Sequence, residues 1–172
     1  VIASEGLDAA TVRNIAAKAG YSTTVITHYF NDKTELLLLA YHHISKKAFQ
    51  RLATITSRDS GDVLGALMAM TPIDDSILND WRVYVAFWQR ASHDPEFAAQ
   101  QQRGVEFARD HISAIVRAKH GDHPNISLVA RHLIALIHGI AVQILFDPGC
   151  WSPGEIKNTL ARELEFLLQE HC

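Results

Sequence analysis

The sequence predicts an all-α protein, a small helical head set on a larger helical bundle. Three observations carry this. Apolar residues recur at helical spacing over most of the chain. No stretch alternates with the period of two that marks a half-buried strand. Capping residues, glycines and prolines punctuate the ends of the periodic stretches.

Thr11 is a good N-cap for a short helix over Val12–Ala19, which Gly20 closes. Ser22 can cap a second, Thr23–Phe30. A long amphipathic helix starts at Asn31-Asp32 and carries Leu36, Leu39, Ala40, His43, Ile44, Ala48, Leu52 and Ile55 near helical spacing. It fades at Ser57-Arg58-Asp59-Ser60-Gly61, the best boundary signal in the chain. Val63–Met70 stops before Pro72, and helices follow from about Asp75 to Ser92 and from about Glu96 to Lys119. His120–Pro124 leads to a very apolar helix, Ser127–Phe146, ended by Asp147-Pro148-Gly149. Ser152, with Pro153 at the first helical position, opens the last helix.

Apolar residues make up 48% of the chain and charged ones 20%, which excludes disorder. No unbroken apolar run approaches the roughly 20 residues that span a bilayer; the longest, Leu133–Phe146, is interrupted by His138, Gly139 and Gln143. Val1–Glu5 lack the charged-then-apolar pattern of a signal peptide. Cys150 and Cys172 are too few for a disulfide framework and lack metal-ligand spacing, so a reducing cytoplasm is the expected location.

The net charge of −3 argues against indiscriminate coating of nucleic acid, and its distribution is uneven. Residues 1–51 hold six Lys/Arg against four acids, the remainder ten against fifteen. A mildly basic head on an acidic body suits a protein that presents one end to a polyanion. His42-His43, His120/His123 and His132/His138 lack acidic or cysteine partners at ligand spacing. No nucleophile elbow, phosphate-binding glycine loop or catalytic carboxylate pair occurs. Hence no metal, cofactor or catalytic residue is expected.

Thr11 to Leu37 carries the functional signal. Helix, glycine-containing turn, helix is the arrangement that presents a second helix to the major groove. Ile15, Ala16 and Ala19 on the first helix face Val25, Ile26 and Tyr29 on the second, small Ala16 permits close crossing, and Gly20 frees the turn. Thr23, Thr24, Thr27 and His28 are left pointing outward, short donors and acceptors suited to phosphates, base edges and thymine methyls.

These residues resemble the head of the TetR family, whose pattern runs T-x-x-x-I-A-x-x-A-G-[VY]-S, then an aromatic pair ending in Phe, then two residues and a lysine. Thr11, Ile15, Ala16, Ala19, Gly20, Ser22, Tyr29, Phe30, Lys33 and Leu36 match it. The resemblance implies a three-helix helix-turn-helix head on a C-terminal helical bundle that dimerises. It implies phosphate contact by Thr11, phosphate or guanine contact by Arg13, and DNA-facing Ser22, Thr23, Thr24, Thr27 and His28. Tyr29 would touch the backbone, and Lys33 would bind a phosphate together with the N-terminal amides of the long helix. Two positions depart from the pattern: Gly or Pro is common at Thr24 and Tyr at Thr27. The family's first helix begins before this chain does, so Val1–Glu5 are expected to be the tail of a truncated helix.

In the body, Trp81, Tyr84 and Trp88 share a helix face with Phe87 beside them, and the next helix adds Phe97 and Phe107. Together the rings suggest a concave apolar ligand site, with Trp81, Tyr84, Phe87, Trp88, Phe107 and His138 as lining; His132, Leu136 and Gln143 are further candidates. The all-round apolar helix Ser127–Phe146 must be buried on more than one side. The family resemblance implies that about Ser127–Phe146 and Pro153–Gln169 of two subunits form a four-helix interface, which places two recognition helices in successive major grooves of a near-palindromic operator. It divides the chain into a DNA-binding domain, 1–45, and a ligand-binding and dimerisation domain, 46–172. Ser22–Lys33, Ala86-Phe87-Trp88 and Leu133–Gly139 are similar to the choline-responsive repressors of betaine synthesis within the family. The function implied is a repressor released from DNA by a small molecule. The alternative is a small helical ligand-binding protein or enzyme whose helix-turn-helix is incidental.

Overall fold

The structure, a computed structural model, describes residues 1–169; Cys172 lies outside them. The described residues form α1 (Ile2–Glu5), α2 (Val12–Ala19), α3 (Thr23–Tyr29), α4 (Lys33–Thr56), α5 (Val63–Met68), α6 (Asp75–Ala91), α7 (Pro95–His120), α8 (Ile126–Phe146) and α9 (Pro153–Gln169), with no strand among them.

Local chemistry sets the helix starts. Thr11, Ser22, Asp32, Asp62, Asp74 and Asp94 each accept a backbone N–H from two or three residues on. Two starts are reciprocal boxes. Asn31 N donates to Glu35 Oε2 at 2.9 Å while Asp32 accepts from Glu35 N, and Ser152 N donates to Glu155 while Ser152 Oγ accepts from Glu155 N. Gly20 ends α2 at φ 75°, the left-handed conformation that turns the chain toward α3.

α8 is the axis of the body. Val129, Ala130, Leu133, Ile134, Ile137, Ile140, Ala141 and Ile144 are buried along it, and Ile156, Leu160, Leu164 and Leu167 of α9 join the same core. By length and composition α8 could cross a bilayer, although no unbroken apolar run in the sequence could. The difference is that a helix counts His132, His138 and Gln143 within its length. Its inner positions are spent on the protein core.

A second cluster joins head to body: Ala10, Leu37, Tyr41, Phe87 and Phe97 are buried together, with Ile2, Leu7 and Ile15 packed against them. α4 runs unbroken through the junction. Within the head, Ala16 and Ile26 are buried as the spacing requires, but Ala19, Val25 and Tyr29 are exposed. Helices of eight and seven residues turn only about one position per turn inward, which leaves these three outside the contact.

Candidate nucleic-acid interface and inner cavity

All nine DNA-facing candidates, Thr11, Arg13, Ser22, Thr23, Thr24, Thr27, His28, Tyr29 and Lys33, are exposed on the head. Thr11 and Ser22 use their hydroxyl oxygens as caps, which fixes the N-terminal ends of α2 and α3. Thr27 donates its hydroxyl back to Thr23 O at 3.1 Å, so what it offers a base is its methyl group and an acceptor lone pair. His28 and Tyr29 meet edge to face at 5.2 Å, and Tyr29 is 71% exposed.

The basic surface is smaller than composition suggests. Lys18 pairs with Glu5. Lys47 and Arg51 are only partly exposed and turn to the buried Asp80 carboxylate of α6, at 2.7 and 2.9 Å. Lys33 donates to Leu7 O at 3.4 Å, and the α4 amide of Glu35 is occupied by Asp32. A phosphate at α4 is therefore left to the Lys33 ammonium and the first two amides, not to the whole helix end.

In the body, α4, α6, α7 and α8 surround a cavity of about 80 Å³. Trp81, Tyr84, Trp88 and His138 line it as expected, with Tyr41 and Arg51 added from α4. Trp81 stands 5.8 Å from Trp88 and 5.5 Å from His138, in edge-on contacts. Burial pushes His138 down to about 4, so the ring is neutral. Burial also pushes the Tyr41 and Tyr84 phenols up. The Trp88 Nε1–H is buried without an acceptor among the described residues. No group of three or more His, Cys, Asp or Glu there could hold a metal ion.

Phe87 and Phe107 do not line the cavity. Phe87, one residue before Trp88, lies about 100° round the helix from it, and it stacks on Tyr41 at 4.0 Å in the head–body cluster. Phe107 falls outside Val105 and Ala108, 43% exposed and stacked on His111 at 4.0 Å. His132 is exposed, and Gln143 accepts instead from Trp151 Nε1 at 2.9 Å. Leu136 packs in the core without lining the cavity.

Lining residues that the sequence did not reveal come from α4, from Met70, and from Gln101, Gly104, Val105 and Ala108 of α7. Tyr41 donates to Gln101 Oε1 across the cavity at 2.8 Å, and directly behind it lies Gly104, where a Cβ would stand 2.5 Å from the Tyr41 oxygen. A glycine in the middle of α7 was the one available signal for that close approach.

The BetI-type transcriptional repressor C-terminal model matches residues 62–169, and the model of the tetR family of bacterial regulatory proteins matches residues 1–40. The chain belongs to the TetR family. Its relatives are transcriptional regulators, not enzymes. The TetR chain is 33% identical to the regulator BetI of Stenotrophomonas maltophilia over 95% of its length and 85% of that protein's. It is 27% identical to the regulator PksA of Bacillus subtilis over 99% and 85%. A transcriptional regulator from Rhodococcus superposes with TM-score 0.88 at 26% identity, over 98% of this chain and 90% of that one. A regulator from Saccharomonospora viridis, solved in complex with choline, shares the fold with TM-score 0.81 at 22% identity, over 95% and 89%.

Proposed function

We propose that this TetR regulator is a dimeric repressor that binds a near-palindromic operator and is released by a small molecule held in the body. The observation that carries the reading is α4, which begins at DNA-facing Lys33 and passes Tyr41 and Arg51 along the cavity wall. One rigid element thus belongs to both sites, so a molecule that displaces its middle also moves its DNA end.

Residues 1–45 serve as the DNA-binding domain, with the nine exposed head residues in the roles set out above. Residues 46–172 serve sensing and dimerisation. Trp81, Tyr84, Trp88 and His138 contact the effector. The outward faces of α8 and α9, with Phe146 83% and Phe166 54% exposed, meet a second copy. A cytoplasmic location follows from an operator on the chromosome.

Selection of binding sites from random duplexes by the full-length chain tests this. A palindromic site with two half-sites about one helical turn apart is expected. If no preferred duplex emerges at moderate salt, the alternative of a ligand-binding protein with an incidental helix-turn-helix stands instead.

A further inference from the structure

Outside the inner cavity, α6, α7 and α8 leave an open groove of about 700 Å³. Trp88, Gln101, Val105 and His138 line both spaces, so four side chains form the wall between them. The groove's only charged lining residues are Arg109 of α7 and Arg131 of α8, which make no ion pair among the described residues. No carboxylate lines either space. The acids near Arg109 along α7 form no ion pair with it: Glu106 accepts from Gln102 at 3.0 Å, and Asp110 is exposed.

The polar groups of the wall and groove include donors and neutral acceptors but no negative charge. Trp88 Nε1–H is unmet, Gln101 Oε1 is taken by Tyr41, and Ser92 spends its hydroxyl on Gln89 O. His138 is neutral and adds no charge. The one nearby carboxylate, Asp80, is already shared between Lys47 and Arg51, so that partly exposed group carries a net positive charge. The five aromatic rings of the cavity, Tyr41, Phe49, Trp81, Tyr84 and Trp88, would alone suit a quaternary ammonium. An uncompensated cation beside two free arginines would not be stable there, whereas an anion is met on each side.

We infer that the effector is an amphipathic monoanion, a carboxylate on an apolar body. Its carboxylate is held in the groove by Arg109 and Arg131, and its apolar end enters past the wall toward Trp81 and Tyr84. At about 80 Å³ the inner cavity is too small for a ligand of several carbons, so entry must part the wall. Parting it at Gln101 breaks the Tyr41 hydrogen bond and frees α4. This identifies the ligand class for the repressor reading above and rests on it.

The experiment uses the full-length protein on its selected duplex, with octanoate, octyltrimethylammonium and octanol as probes of one chain length and three charges, and with benzoate, phenylacetate, hexanoate and decanoate widening the anion set. Titration calorimetry and duplex release are the readouts. At least one carboxylate is expected to bind and release the duplex, and Arg109→Gln and Arg131→Gln are each expected to weaken it about tenfold with duplex affinity and ligand-free melting temperature unchanged. Should the ammonium or the alcohol outcompete every carboxylate, should no carboxylate act, or should both variants bind carboxylate normally, the inference is overturned. Each of those results leaves the repressor reading standing, because duplex selection is scored separately. If the arginine variants fail to fold, octanoate against octyltrimethylammonium on the wild type still decides the charge.

Discussion

Tyr41 of α4 donates its hydroxyl to Gln101 Oε1 of α7 at 2.8 Å, and Gly104 is the residue whose lack of a side chain leaves room for it. The bond joins α4, which begins at Lys33, to α7, which walls the inner cavity.

Gly104→Ala tests that relationship. In an open helix the change gains about 1 kcal/mol. Here the new Cβ drives out the Tyr41 oxygen, and a net loss of about 1–3 kcal/mol is expected. Urea unfolding measures it, and a more stable Gly104→Ala protein rules the close approach out.

Asp80 makes an asymmetric prediction. Its carboxylate is 5% exposed, while Lys47 and Arg51 are 37% and 24% exposed. Asp80→Asn leaves two partly buried cations facing each other and is expected to cost about 2–4 kcal/mol. Lys47→Met leaves Arg51 in place and should cost under about 1 kcal/mol. Equal losses in chemical denaturation would show that the three do not act as a unit.

On the head, Arg13→Ala and Lys33→Ala should each weaken every duplex alike and lower the salt-dependence slope by about one. His28→Ala and Thr24→Ala should instead change which base is preferred. Binding isotherms on operator and scrambled duplexes at several salt concentrations separate the two behaviours.

His138 links stability to pH. Its ordinary value is 6.5 and burial lowers it to about 4. Between those values the unfolded chain binds a proton that the folded chain refuses, so stability falls as pH drops from 6.5 toward 4. The loss is on the order of 2–3 kcal/mol. Melting curves of His138→Gln should fall less between pH 7 and pH 5 than those of the wild type; parallel curves would place the proton uptake elsewhere.

Gly139 sits on the exposed face of α8 with nothing within 4 Å of an added Cβ. Gly139→Leu should therefore fold, while blocking close approach of a second α8. Sedimentation is expected to show a dimer for the wild type and a monomer for the variant. A dimeric Gly139→Leu would move the interface off this face.

What was legible in the sequence was what adjacent residues decide. Thr11, Ser22 and Ser152 cap helices through bonds to residues three away, and Gly20 turns the chain by itself. The exposed recognition residues follow from the same local spacing. What was not legible depends on partners far along the chain. Asp80 meets Arg51 and Lys47 across 29 and 33 residues, and Tyr41 meets Gln101 across 60. Phe87 and Trp88 are neighbours in sequence, yet one packs on the head and the other on the cavity, because which flank of α6 meets which helix is a tertiary matter.

The Asp80 bridges give α4 a fulcrum. From Arg51 to Lys33 the helix is a lever of roughly 27 Å, at 1.5 Å per residue. A tilt of about 7° about that point carries Lys33 sideways by roughly 3 Å, a sizeable part of a major groove about 12 Å wide. In the dimer proposed above, two heads moving in mirrored fashion would change the half-site spacing by twice that. On the proposed repressor reading, a small widening of the cavity would thus be geared to a displacement that DNA cannot follow without bending.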